Sequence, residues 1–140
     1  MKTIYLLDTN IISQVTKPEP KESIISNLDF HNGSCAISSI TWYELINGIE
    51  LLPESAKKEK LRIFLDDYVQ PSFQIIPYDS HAAKINADIT STLLSKGKTT
   101  PILDTQIAAT AIANNLILVT SNIKDFEIFQ KEFNLMLEEW

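Results

Sequence analysis

Runs of consecutive apolar residues alternate along this chain with stretches in which apolar positions recur every three or four residues. The first pattern suits a strand buried on both faces, the second a helix with one buried stripe. Ile4 to Leu7 reads as a buried strand, and Asp8, Thr9 and Asn10 offer cap residues for a short helix that Pro18 and Pro20 end. Lys21 to Leu28 predicts a short helix with Ile24, Ile25 and Leu28 inward. Cys35-Ala36-Ile37 predicts a strand, and Ser38-Ser39 caps the helix that follows. A further helix is expected from Pro53, with Leu61, Phe64, Leu65 and Tyr68 at i, i+3, i+4 and i+7. Phe73 to Ile76 is strand-like. Asp79-Ser80 then starts a helix with Ala82, Ile85, Ile89 and Leu93 on one face and Gly97 just past its end. Pro101 introduces a helix that Asn114-Asn115 closes, before the strand Leu116 to Val119. A last helix from about Asp125 and a strand at Leu135 to Leu137 complete the pattern.

Short apolar strands separated by helices imply an α/β fold whose parallel sheet is covered on both faces. The functional crevice of such a sheet lies beyond the carboxyl ends of its strands. Asp8 follows the first strand, Ser38-Ser39 the second and Thr120-Ser121-Asn122 a later one, so the polar motifs collect on one edge.

Three carboxylates break otherwise apolar surroundings. Asp8 follows Ile4-Tyr5-Leu6-Leu7, Glu44 interrupts Ile40 to Ile46, and Asp104 opens the nearly uncharged run Ile107 to Ala113. A charge at the margin of buried surface costs several kcal/mol unless it is paired or binds a metal. No Lys or Arg lies near any of the three in sequence. Taken singly, Asp8 reads as an N-cap and Asp104 as a dipole-favouring first-turn acid. Glu44 shares a helical face with Ile40, Gly48 and Leu51, which points it inward. Gathered at ~5 Å, such acids repel by about 3 kcal/mol per pair at an effective dielectric of ~20. A divalent cation relieves that repulsion, and oxygen-only ligands favour Mg²⁺ or Mn²⁺ over zinc.

Composition narrows the alternatives. A chain of 140 residues, 44% hydrophobic, suits one domain spanning residues 1–140. A net charge of −6 opposes nucleic-acid binding by bulk electrostatics, but less so where a bound cation reverses the local field. Cys35 is the sole cysteine, which excludes an internal disulfide and a thiolate zinc cluster and fits a reducing cytoplasm. Four apolar residues before Asp8 are too few for a secretory leader, and no run approaches a membrane span. The expected location is therefore cytoplasmic. With Gly33, Gly48 and Gly97 the only glycines, no phosphate-binding glycine loop exists. His31 and His81 lack ligand spacing and read as surface or cap residues. Lys57, Lys58, Lys60 and Arg62, and Lys96 with Lys98, read as solvated surface.

With these residues in hand, the chain resembles the PIN-domain ribonucleases, particularly VapC-like toxins of bacterial toxin–antitoxin pairs. The resemblance is carried by Leu7-Asp8-Thr9-Asn10, by Ser38 to Ile49 around Glu44, by Leu103 to Ala111 around Asp104, and by Leu118 to Phe126. It implies a three-layer α/β/α sandwich around a parallel sheet of about five strands. It also implies a Mg²⁺- or Mn²⁺-dependent endoribonuclease, usually dimeric, silenced by a small antitoxin. Asp8, Glu44 and Asp104 fall on the family's principal acidic positions, and Thr120 on a hydroxyl position of its site. Asn122 takes the fourth acidic position without being acidic; Asp125 either substitutes for it or, as the plainer reading, caps the last helix.

The expected reaction is in-line attack of a metal-activated water on an RNA phosphodiester, with Asp8 and Asp104 on the metal and Glu44 acting through water. Two other readings compete. A non-catalytic PIN-like interaction module draws on Asn122 alone. An α/β phosphoryl-transfer protein of the aspartyl-phosphatase or receiver type lacks its acids: Asn10 stands where the former needs a second Asp, and no Asp ends Phe73 to Ile76. A homodimer is expected through the apolar surplus of Leu51, Leu52, Ile63, Phe64 and Tyr68. An antitoxin tail is expected to bring an Arg to the acids.

Overall fold

The computed structural model describes residues 2–140. Five parallel strands form one sheet in the order β3-β2-β1-β4-β5. They are β1 (Tyr5–Leu7), β2 (Cys35–Ser38), β3 (Gln74–Ile76), β4 (Ile117–Thr120) and β5 (Leu137–Glu139). Between them run α1 (Thr9–Val15), α2 (Glu22–Phe30), α3 (Ser39–Glu50), α4 (Ala56–Phe64), α5 (Gln70–Ser72), α6 (Ser80–Ser95), α7 (Ile102–Ala113) and α8 (Glu127–Phe133). The expected three-layer sandwich and strand number are both found.

Side-chain alternation explains why the strands read as unbroken apolar runs. Leu6, Ala36 and Leu118 point into a core with Ile89, Leu93, Ile107, Ala108 and Phe129 from α6, α7 and α8. Their neighbours Leu7, Ile37 and Val119 point the other way, onto Ile11, Ile24, Leu45, Leu65 and Trp140. Both faces are covered, so in β1, β2 and β4 both alternate positions stay apolar up to the carboxyl edge. The register Leu7↔Ile37 and Leu7↔Val119 puts Asp8, Ser38 and Thr120 at the same level of the carboxyl edge. Strand order reverses between β1 and β4, which opens a crevice there.

Most expected elements occur within a residue or two, and the departures have local causes. The helix after Pro53 begins instead at Ala56, because the Ser55 side chain accepts the Lys58 N–H and so acts as its cap. It then widens into a π turn over Leu65–Val69, so Val69 rather than Tyr68 follows Leu65 into the core. Tyr68 stays 37% exposed. The expected helix at Asp125 is a 3₁₀ turn, Ile123–Asp125, and α8 starts only at Glu127. Leu135 is core rather than strand, and β5 lies two residues later than expected.

Lys58 corrects a second expectation. Read as solvated surface, it is 4% exposed. Its Nζ donates to the carbonyls of Glu50 (3.1 Å) and Leu52 (2.9 Å) and pairs with Glu54 Oε1 at 3.0 Å. It thereby satisfies the orphan carbonyls at the carboxyl end of α3. Arg62 is likewise engaged, with Glu50, Glu54 and Glu59, and Lys96 and Lys98 both reach Glu132. His31 is as expected a cap, at the end of α2.

Candidate active site

The crevice is an open cleft of ≈ 290 Å³ lined by Asp8, Thr9, Asn10, Ser13, Glu44, Asp104 and Asp125. All three acids singled out in the sequence meet there, each from a different element: the end of β1, the middle of α3 and the first turn of α7.

Asp8 is 7% exposed and held at both oxygens. Oδ1 accepts the N–H of Thr9 at 2.8 Å, which makes Asp8 the N-cap of α1 as well as a site residue. Oδ2 accepts the hydroxyl of Thr120 at 3.0 Å. Burial nonetheless pushes the Asp8 carboxyl up to about 6. The two donors pull it down, and the negative charges of Asp104 and Glu44 push it up further.

Glu44 reaches the cleft by a different route from the one its sequence suggested. The buried face of α3 carries Thr41, Leu45 and Ile49, while Gly48 and Leu51 are exposed, so Glu44 sits on the flank of that face. Its direction comes from α1, where Thr9 Oγ1 donates to Glu44 Oε1 at 2.7 Å. Asp104 is half-buried and accepts no hydrogen bond from any described side chain or backbone group. Burial raises its carboxyl, and Asp125 and Glu44 add to the rise.

The loop after β4 supplies the remaining residues. Thr120 is fully buried against Asp8. Asn122 donates its side-chain amide to Asp125 Oδ2 at 2.8 Å, and Asp125 lines the cleft beside Asp104. No side-chain cap bond is made at the start of α8, so the plainer reading of Asp125 as a helix cap fails. Thr9, Asn10 and Ser13 belong to the cleft but escaped the sequence reading, in which Thr9 and Asn10 were cap residues. Their adjacency to Asp8 on one turn of helix was the available signal.

Every lining residue offers oxygen, no Lys or Arg lines the cleft, and like charges crowd it. Such a donor set suits a hard cation that keeps part of its own water. Among the described residues no three acidic, His or Cys side chains close into a cage of ligands, so water has to complete any coordination shell. An apolar groove of ≈ 170 Å³, lined by Leu45, Ile49, Leu52, Leu61, Phe64 and Leu65, shares Thr9, Ser13 and Glu44 with the cleft and runs away from it between α3 and α4.

Known proteins resemble this chain over nearly all of their length. The toxin FitB of Neisseria gonorrhoeae is 36% identical over 126 residues, covering 88% of this chain and 91% of its own. Ribonuclease VapC2 of Rickettsia felis is 36% identical over 139 residues, covering 98% of each. The crystal structure of VapBC2 from Rickettsia felis bound to a promoter DNA fragment superposes with a TM-score of 0.83 at 34% identity, over 99% of both chains. The family model for the PIN domain matches residues 5–131, from the first residue of β1 into α8, and so takes in every wall of the cleft. The chain belongs to the PIN domain family.

Proposed function

We propose that this protein is a metal-dependent endoribonuclease, the toxin of a toxin–antitoxin pair, built as one domain over residues 1–140 and working in the cytoplasm. The observation that carries the reading is the cleft itself: carboxylates converging from β1, α3 and α7 at the strand-order reversal, with no cation on its walls. Similarity over nearly the whole chain to a protein named a ribonuclease supports the reaction class. No helix among the described residues is long and apolar enough to cross a membrane.

Asp8 and Asp104 would hold Mg²⁺ or Mn²⁺ directly, and Glu44 would act through a water or orient the attacking one. Such a bound cation supplies hydroxide near neutral pH and offsets charge on the phosphate oxygens. Thr9 fixes the Glu44 carboxylate, so its orientation is set before RNA arrives. Asp125, tethered by Asn122, takes the fourth acidic place, and Asn122 adds no charge of its own. Purified protein is expected to cut RNA only with Mg²⁺ or Mn²⁺, and Asp8→Asn to stop it. Equal cutting in chelator would end this reading.

The apolar groove joining the cleft supports a partner whose tail folds along it and delivers an Arg to the acids. Co-purified complex should be silent, and replacing that Arg by Ala should restore cleavage more than it weakens binding. Exposed Leu51 (77%) and Ile63 (50%) support a homodimer through α3 and α4. Light scattering should then return about twice the 15.8 kDa of one chain.

A further inference from the structure

Asn10 makes a hydrogen bond at each end of its amide, yet neither bond serves helix α1, on which it sits. Its Oδ1 accepts the N–H of Ser121 at 3.1 Å, and its Nδ2 lies 3.3 Å from Thr120 Oγ1. A backbone N–H can only donate, so the amide atom facing Ser121 is the oxygen and the atom facing Thr120 is the nitrogen. The Thr120 hydroxyl must therefore accept from Asn10. It also accepts the N–H of Asn122 at 3.0 Å. Both lone pairs are then taken, and its single hydrogen has one acceptor left, Asp8 Oδ2 at 3.0 Å.

We propose that Asn10 is a positioning residue that sets the direction of the Thr120 hydroxyl and, through it, the orientation of the Asp8 carboxylate. The consequence for metal binding rests on the function proposed above; the hydrogen-bond polarity does not. Bonds on Thr9 N–H and Thr120 Oγ1 hold the carboxylate from two sides, so its remaining lone pairs face the cleft. Without the amide, Thr120 is free to turn its hydrogen elsewhere, and Asp8 is held from one side only.

The test is a double-mutant cycle of Asn10→Ala and Thr120→Val, read in two ways. The first readout is hydrogen exchange of the Thr9 amide in metal-free protein, with the Ile11 amide, bonded to the Asp8 backbone carbonyl at 3.0 Å, as an internal control. Both single variants should speed Thr9 exchange by a similar factor and leave Ile11 unchanged. The second readout is Mn²⁺ affinity by calorimetry. Each single variant should weaken it by about tenfold, the scale of one hydrogen bond to a charged group, and the double variant by no more than that. Losses that multiply in the double variant would mean that Asn10 acts on the ion by itself. Thr9 protection that falls in Thr120→Val but not in Asn10→Ala would also overturn the proposal. A wild-type protein that binds no Mn²⁺ would sink the metal reading, and Thr9 exchange would still decide the role of Asn10.

Discussion

Asp8 and Lys58 are both buried charges, and the protein treats them in opposite ways. Lys58, 4% exposed, has a carboxylate and two backbone carbonyls within 3.1 Å of its Nζ. Asp8, 7% exposed, has two neutral donors and faces further carboxylates across the cleft. The first charge is fully compensated and joins two helices. The second is under-compensated, and its deficit is what a cation can fill. Buried charge alone therefore says little about function; how completely it is paired says more.

Three experiments press on this contrast. The largest effect is expected from Asp104→Asn, which is the cleanest test because Asp104 accepts no side-chain hydrogen bond among the described residues. Cleavage of RNA should fall by about a thousandfold, the scale of losing one group on which the electrostatic stabilisation of the reaction depends. The midpoint of thermal unfolding in metal-free buffer should stay level or rise, since a repulsion is relieved. A clearly lower midpoint would make Asp104 structural and erase the distinction from Lys58.

The second effect concerns pH. Asp8 takes up its proton near 6 when folded and near 3.8 when unfolded, so the folded state binds the proton more tightly. Its contribution to stability is then complete below about 3.8 and is lost as pH rises through about 6. At about 1.4 kcal/mol per unit, that is on the order of 3 kcal/mol. Denaturant titrations of metal-free protein between these values should show the slope, and Asp8→Asn should flatten it. Saturating Mn²⁺ should flatten it too, by supplying the compensation that the proton otherwise gives. A slope of opposite sign would show that the donors from Thr9 and Thr120 outweigh burial.

The smallest effect is expected at the paired charge. Lys58→Met keeps the apolar stem but strands the carbonyls of Glu50 and Leu52, at a cost of about 2 kcal/mol. Urea unfolding would measure it. RNA cleavage per folded molecule should be unaffected, because Lys58 lines neither the cleft nor the groove.

The same contrast explains what could be seen in the sequence. Asp8 was legible because it ends an apolar run that burial on both sheet faces demands, and Asp104 because it opens the buried apolar run of α7. Glu44 was legible as a misplaced acid, but its helical neighbours gave the wrong face, since the bond that directs it comes from Thr9, thirty-five residues earlier. Lys58 was not legible at all. Among Lys57, Lys60 and Arg62 nothing marks it, and its partners are carbonyls, which every residue has. The π turn at Leu65–Val69 was hidden for a related reason: an i, i+3, i+4, i+7 stripe assumes a uniform pitch, and one widened turn moves Tyr68 out and Val69 in. Asp125 and Asn122 were placed at the site's edge as alternatives, and only the 3₁₀ turn between them shows that the amide holds the acid.

Pairing between β1 and β4 joins Tyr5 to Ile117, about four-fifths of the 140 residues apart. Asp8 and Thr120, which meet through that pairing, are the most widely separated partners in the cleft. Closing so long a loop is entropically slow, and nothing local rewards it until β4 docks. A nascent chain that has emerged only as far as α7 already carries Asp8, Glu44 and Asp104, but β1 has one bare edge and Asp8 lacks its second anchor. The cleft is thus completed only by residues that follow α7. A chain truncated after α7 is therefore expected to carry all three acids without the pairing that brings Asp8 and Thr120 together.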